Sequence, residues 1–109
     1  MFPKGNLMTG LLQQAKRVQE KIEEIQDELA ALRIEGQAGG GMVTAVVNGQ
    51  QELINVKIDP KLITEDVEMV EDLVVAAVRQ AMEKSREESQ QKMNAVTGGM
   101  MSGLNLPGL

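Results

Sequence analysis

Gly39, Gly40 and Gly41, in the stretch AGGGMV at 38–43, are the first residues whose type could hold a ligand. Glycine-rich loops cradle phosphates because backbone N–H groups can approach the anion and the loop opens a helix whose N-terminus faces it. Here a β-branched run follows instead, Met42, Val43, Thr44, Ala45, Val46 and Val47, which reads as a strand. Neither Gly-Lys-Ser/Thr nor GxGxxG spacing is present. The three glycines therefore read as a turn or bulge between two strands, where glycine tolerates positive φ.

Acid–base and nucleophilic chemistry find little support. Carboxylate pairs such as Glu23/Asp27 and Glu68/Asp72 stand at i,i+4 spacing, the pattern of a solvated helix face. Such clusters collect Mg²⁺ weakly, with nothing to fix an octahedron. Ser85, Ser89 and Ser102 have only Lys84 and Lys92 as formal partners, and no surrounding motif. The chain has no His and no Cys, which excludes disulfides, thiol nucleophiles, Cys/His zinc sites and His bases. The expectation is a protein without catalysis, metal, cofactor or small-molecule substrate.

Phosphate binding needs local positive charge rather than net positive charge. The net charge is −5, but its distribution is uneven. Lys4, Lys16, Arg17 and Lys21 lie at the start of a long helical pattern. Arg79, Lys84, Arg86 and Lys92 lie toward the end of a second one. Acids concentrate inward, at Glu20, Glu23, Glu24, Asp27 and Glu28 and at Glu65, Asp66, Glu68, Glu71 and Asp72. Arg79 and Arg86 are seven apart and share a helix face, with Gln90 one turn on. These eight cations are the candidate phosphate-contacting residues, in a chain whose net charge argues against a simple polyanion binder. Single-strand binders stack bases on aromatic rings. Only Phe2 is available, so for a nucleic-acid ligand a duplex gripped by its phosphates fits better than a single strand. Few side chains could read base edges, which predicts weak sequence preference.

The elements that must position these residues are legible from periodicity. Over 6–33, Met8, Leu11, Ala15, Val18, Ile22, Ile25, Leu29 and Leu32 alternate in steps of 3 and 4, an unbroken heptad stripe widened by Leu7 and Leu12. Such a helix is about 42 Å long. A compact domain of this size is only about 34 Å across. Part of the stripe must therefore meet another helix, from this chain or a second copy. Three strands follow, at 34–38, 42–47 and 51–58. Asn48-Gly49 is a strong hairpin signal. A two-residue turn there pairs Val47 with Gln50, Ala45 with Glu52 and Val43 with Ile54. The core face then carries Val43, Ala45, Val47, Ile54, Val56 and Ile58, and the half-apolar outer face Met42, Thr44, Val46, Leu53, Asn55 and Lys57. Open sheet edges and that outer face both point to self-association. Asp59-Pro60 ends the third strand. Thr64 is the expected N-cap of a second helix running to about Ala95, with Val67, Val70, Leu73, Val74, Ala77, Val78 and Ala81 inward and Gly98-Gly99 as its stop.

The fold class is thus α+β, ordered α-β-β-β-α, with long terminal helices flanking a three-stranded antiparallel sheet. The 109 residues make one domain at 1–96 and a flexible Gly/Met/Leu tail at 97–109. MFPKGNLM has no apolar core like that of a signal peptide, and no run approaches a membrane span, so a cytoplasmic protein without a membrane partner is expected.

The stretches QQAKRVQEKIEEIQDELA (13–30), EGQAGGGMVTAVVNGQQELINVKIDP (35–60) and EDVEMVEDLVVAAVRQAMEKSREESQQKM (65–93), with the closing TGGM and LPG, resemble the YbaB/EbfC family of bacterial nucleoid-associated proteins. The resemblance covers nearly the whole chain. It implies a tweezer-like homodimer with protruding helices that binds DNA in the cytoplasm at the nucleoid and has no enzymatic activity. It supplies no residue-level DNA motif, so the DNA-binding candidates are the eight cations Lys4, Lys16, Arg17, Lys21, Arg79, Lys84, Arg86 and Lys92. A rival from another class is a dimeric scaffold that docks a protein partner through its Met-rich faces, without DNA. Salt separates the two, since phosphate contacts weaken steeply with it and apolar docking does not.

Overall fold

The computed structural model describes residues 4–104; the side chains of residues 4–6, 97 and 99–104 lie outside what it describes. Its elements are α1 (Lys4–Ala31), β1 (Ile34–Ala38), β2 (Val43–Val47), β3 (Leu53–Ile58), a 3-10 turn at Pro60–Thr64, and α2 (Val67–Leu104). The expected α-β-β-β-α order is the observed one. The strands form one antiparallel sheet in the order β1-β2-β3. The molecule extends over 81 × 28 × 16 Å, with a radius of gyration of 21.6 Å. A compact chain of this length has about 13 Å. The difference comes from helices that overrun the core, as the length of the heptad stripe required.

Gly39, Gly40 and Gly41 join β1 to β2 with φ of 64°, 66° and 91°. Three consecutive left-handed residues are accessible only to glycine without strain, so the glycine triplet is a turn.

The second turn departs from expectation. Val47 stands opposite Leu53, Ala45 opposite Val56 and Val43 opposite Ile58, with a bulge at Val46/Val47. A two-residue Asn-Gly turn does not form, because the Asn48 side chain organises a longer loop. Its Oδ1 accepts from the Gln50 and Glu52 amides at 2.9 and 3.0 Å, and its Nδ2 donates to Glu52 Oε1 at 2.8 Å. The left-handed residue there is Gln51, at φ 64°. Gly49 serves another purpose: its amide donates to Leu29 O at 2.7 Å, and a Cβ would lie 2.8–3.0 Å from Leu29 atoms. Glycine lets the turn press against the end of α1. The register moves by four residues at Val43, an even number, so Val56 and Ile58 keep the face expected of them, but only Val56 packs on the core and Ile58 is exposed. Ile54 becomes the unpaired bulge residue and is exposed.

The core lies between β1–β2 and α2. Ile34, Val43, Ala45, Val47, Leu62, Ala77 and Ala81 are buried together. Ala77 and Ala81 on α2 meet Gly36 on β1, where an added Cβ would collide with Ala77 O and the Ala81 backbone. Small residues on both sides bring helix and strand into backbone contact. Val70, Leu73, Val74 and Val78 are partly buried, while Val67 is exposed, so the inward face of α2 is shorter at its start than the spacing predicts. Asp66, not Thr64, caps α2, accepting from the Glu68 amide at 3.4 Å. Thr64 instead closes the 3-10 turn, which Asp59 caps from the other end through the Lys61 amide at 2.9 Å. Helix α2 passes through Gly98 and Gly99 to Leu104, so that pair does not stop it. Among the described side chains of α1, those buried are Ile25 and Leu29, near its C-terminal end.

Candidate nucleic-acid interface

The buried stripe Ala77, Ala81 and Ser85 fixes the orientation of α2 about its axis. Arg79 is two residues from both Ala77 and Ala81, about 200° around the helix, and so faces away from the sheet. Arg86 follows seven residues on, about 10 Å along the same outward side. Both are exposed, and neither makes an ion pair or hydrogen bond among the described residues. Glu83 shares that side, one turn from each, and moderates the local potential. Lys16 and Arg17 are exposed and similarly unengaged on the half of α1 that leaves the core.

The remaining candidates have intramolecular partners. Lys21 Nζ lies 3.6 Å from Glu24, and Lys92 Nζ 3.8 Å from Glu28 across the two helices. Exposed pairs of this kind hold by less than ~1 kcal/mol and exchange readily for a phosphate. Lys84 is different: its ammonium donates to Glu35 O at 3.0 Å, on the outer edge of β1. Gln80 Oε1 accepts from the Gln37 amide at 2.7 Å on the same edge. Two side chains of α2 thus occupy the hydrogen-bonding groups of that edge strand, a role that spacing along α2 alone does not reveal. The side chain of Lys4 lies outside the described residues, as do Phe2 and residues 105–109.

Three further cations were not among the sequence candidates. Arg33 donates to Ala30 O and Leu32 O at 3.1 and 2.8 Å, tying down the end of α1. Lys57 and Lys61 are exposed. Lys57 stands opposite Thr44 on the uncovered sheet face, the placement that strand alternation predicts.

Ser85 is no nucleophile. It is fully buried, and its Oγ donates to Asn48 O at 2.7 Å. This bond ties α2 to the loop whose Gly49 receives α1, so one knot sets the angle between both helices. Ser85→Ala strips the Asn48 carbonyl of that partner. It is expected to cost roughly 1–3 kcal/mol, read as a lower urea midpoint at unchanged slope. An unchanged midpoint would show that the knot is not structural.

Two elongated helices that overrun a small α+β core, with exposed cations along them, define the class of fold. The chain belongs to the YbaB/EbfC DNA-binding family, whose profile matches residues 4–100. It is 47% identical over 100 residues to a nucleoid-associated protein of Syntrophobacter fumaroxidans, covering 90% of this chain and 91% of that one. Against a nucleoid-associated protein of Thermoanaerobacter pseudethanolicus the identity is 44% over 109 residues, covering 99% and 95%. The crystal structure of an uncharacterised Helicobacter pylori protein superposes with a TM-score of 0.60 at 25% identity, covering 74% of this chain and 92% of that one.

Proposed function

We propose that this protein binds duplex DNA as a homodimer through phosphate contacts, with weak sequence preference, in the cytoplasm at the nucleoid. Nucleoid organisation and gene expression would be influenced downstream. The observation that carries the reading is the pair of unengaged guanidiniums, Arg79 and Arg86, on the outward side of α2 in a chain of this family. Lys16 and Arg17 add contacts from α1. Lys21 and Lys92 join as phosphates replace Glu24 and Glu28, Lys4 adds its charge at the start of α1, and Lys84 contributes least because it shields β1. Few side chains on the outward side of α2 could reach base edges, Arg79, Arg86 and Gln90 among them, which favours weak preference. The binding unit is residues 1–96: a chain ending there is expected to keep duplex affinity within about threefold, and a larger loss would assign residues 97–109 a part in binding.

Self-association is supported at the other edge of the sheet. Among the described residues nothing bonds to the outer edge of β3, in contrast to the occupied edge of β1. Beside it runs an open groove of about 630 Å³ lined by Ile58, Leu62, Ile63, Val67, Val70, Val74 and Val75, with Glu65 and Glu71 at its rim. An unprotected edge next to apolar surface is a pairing site. Val75 is half exposed there, so Val75→Glu is expected to leave the fold intact and to reduce the sedimenting mass from two chains to one. Persistence of the two-chain mass would place the dimer contact elsewhere.

The same groove supports the rival reading, a dimeric scaffold that docks a protein partner without touching DNA. Its binding would be insensitive to salt.

A further inference from the structure

The heptad stripe of α1 is used over only half its length. Ile25 and Leu29 are 5% and 2% exposed, packed where α1 meets the Asn48–Gly49 loop and α2. Toward the N-terminus the same stripe is bare: Leu7 and Leu12 are 66% exposed, and Met8 and Leu11 56%. We infer that residues 7–18 of α1 pair with the same segment of a second copy as a short coiled coil, a contact separate from the groove beside β3.

The pattern of residues selects this occupant. The 3-4 alternation that packs on protein at Ile25 and Leu29 continues without a break through Val18, Ala15, Leu11 and Met8. A seam of that period, widened by Leu7 and Leu12 and ending in the small residues Ala15 and Val18, fits the holes of a facing helix. The flanking positions within the segment are Leu7, Leu12 and Gln14, without charge. Identical helices can therefore approach without repulsion. Within 7–18 no cation lies beside the seam to recruit an acidic partner helix; Lys4 falls on the stripe before the segment and Lys21 beside it after the segment. Lys16 and Arg17 occupy positions on the opposite side, so paired tips still present their cations outward. Four side chains make a contact well below the ~800 Å² per partner of a standard interface. The pairing is weak between free molecules and gains where many copies lie along one duplex, through raised local concentration.

The test needs no DNA. Sedimentation equilibrium of the whole protein is run up to millimolar chain concentration. Beyond the mass set by the groove contact, a further doubling is expected. Leu11→Glu is expected to weaken that last step at least tenfold, whereas Arg17→Glu, outside the seam, leaves it unchanged. Circular dichroism checks that helicity is kept, which exposure of both residues favours. No further doubling in the unmodified protein overturns the inference, as does equal loss in both variants or retention in Leu11→Glu. Helix-dependent binding to anionic phosphatidylglycerol vesicles, abolished by Leu11→Glu while the protein mass stays unchanged, would assign the tip to a lipid surface and also overturn it. Val75→Glu reports on the groove and Leu11→Glu on the tip, so the two contacts fail or stand separately.

Discussion

Reversing Arg79 and Arg86 together to glutamate is expected to lower duplex affinity by about 100-fold or more at moderate salt. In a two-chain protein the variant replaces four cations with four anions. Removing one phosphate neutralisation flattens the dependence of log K on log salt by about 0.9, so the slope falls by up to roughly 3.6. Both signs of change come from the same geometry. The guanidiniums face away from the sheet and bond to nothing described, so reversing them removes counterion release without disturbing the core. Thermal midpoint and sedimenting mass are expected to stay those of the parent. An affinity within threefold of the parent would show that DNA lies elsewhere on the molecule, with Lys16, Arg17 and Lys57 the next surfaces to reverse.

The largest loss of stability is expected at Gly36. The Cβ of an alanine there has no room: it would meet Ala77 O and the Ala81 backbone, neither of which can rotate aside. Helix α2 must lift from β1, opening the packing of Ile34, Val43, Ala45, Ala77 and Ala81. Overpacking against backbone costs about 3 kcal/mol or more. That is a large share of the roughly 5–15 kcal/mol that holds a domain together. The hydrogen bonds that join the β1 edge to α2, Gln37 N–H to Gln80 Oε1 and Lys84 Nζ to Glu35 O, stretch with it. Gly40→Ala is the control. Its φ of 66° makes alanine strained by roughly 1–2 kcal/mol, but no atom lies within 4 Å of the added Cβ. Urea unfolding separates them: Gly36→Ala should lie far below Gly40→Ala. A Gly36→Ala midpoint equal to that of Gly40→Ala would mean that the helix and strand yield easily.

The contrast between these glycines shows where sequence reading succeeds. Gly39, Gly40 and Gly41 announce a turn by their number alone, and local backbone freedom is what they supply. Gly36 and Gly49 stand where another element comes close, and nothing local to them says which. The Asn-Gly pair signals a hairpin correctly. Its register could not be read, because the Asn48 side chain holds two amides of a longer loop and a bulge absorbs Ile54. Helix existence and the heptad stripe were legible from period alone. The α2 cap was not, since Asp66 and Thr64 both suit the role and the 3-10 turn after Pro60 decides between them. Among the candidate cations, charge was visible in the sequence and availability was not. Lys84 and Arg86 are two residues apart, yet one is bonded to the sheet and the other faces solvent.

The most direct measurement is fluorescence anisotropy of a labelled random-sequence duplex titrated with the protein at several salt concentrations. Protein is quantified by peptide absorbance, since Trp and Tyr are absent. Saturable binding at two chains per site, with affinity falling steeply and log-linearly with salt, is the expected result, and its slope gives the number of phosphates engaged. Absence of binding at low salt, or an affinity that salt leaves unchanged, would contradict phosphate-mediated duplex binding and put the protein-docking groove in its place.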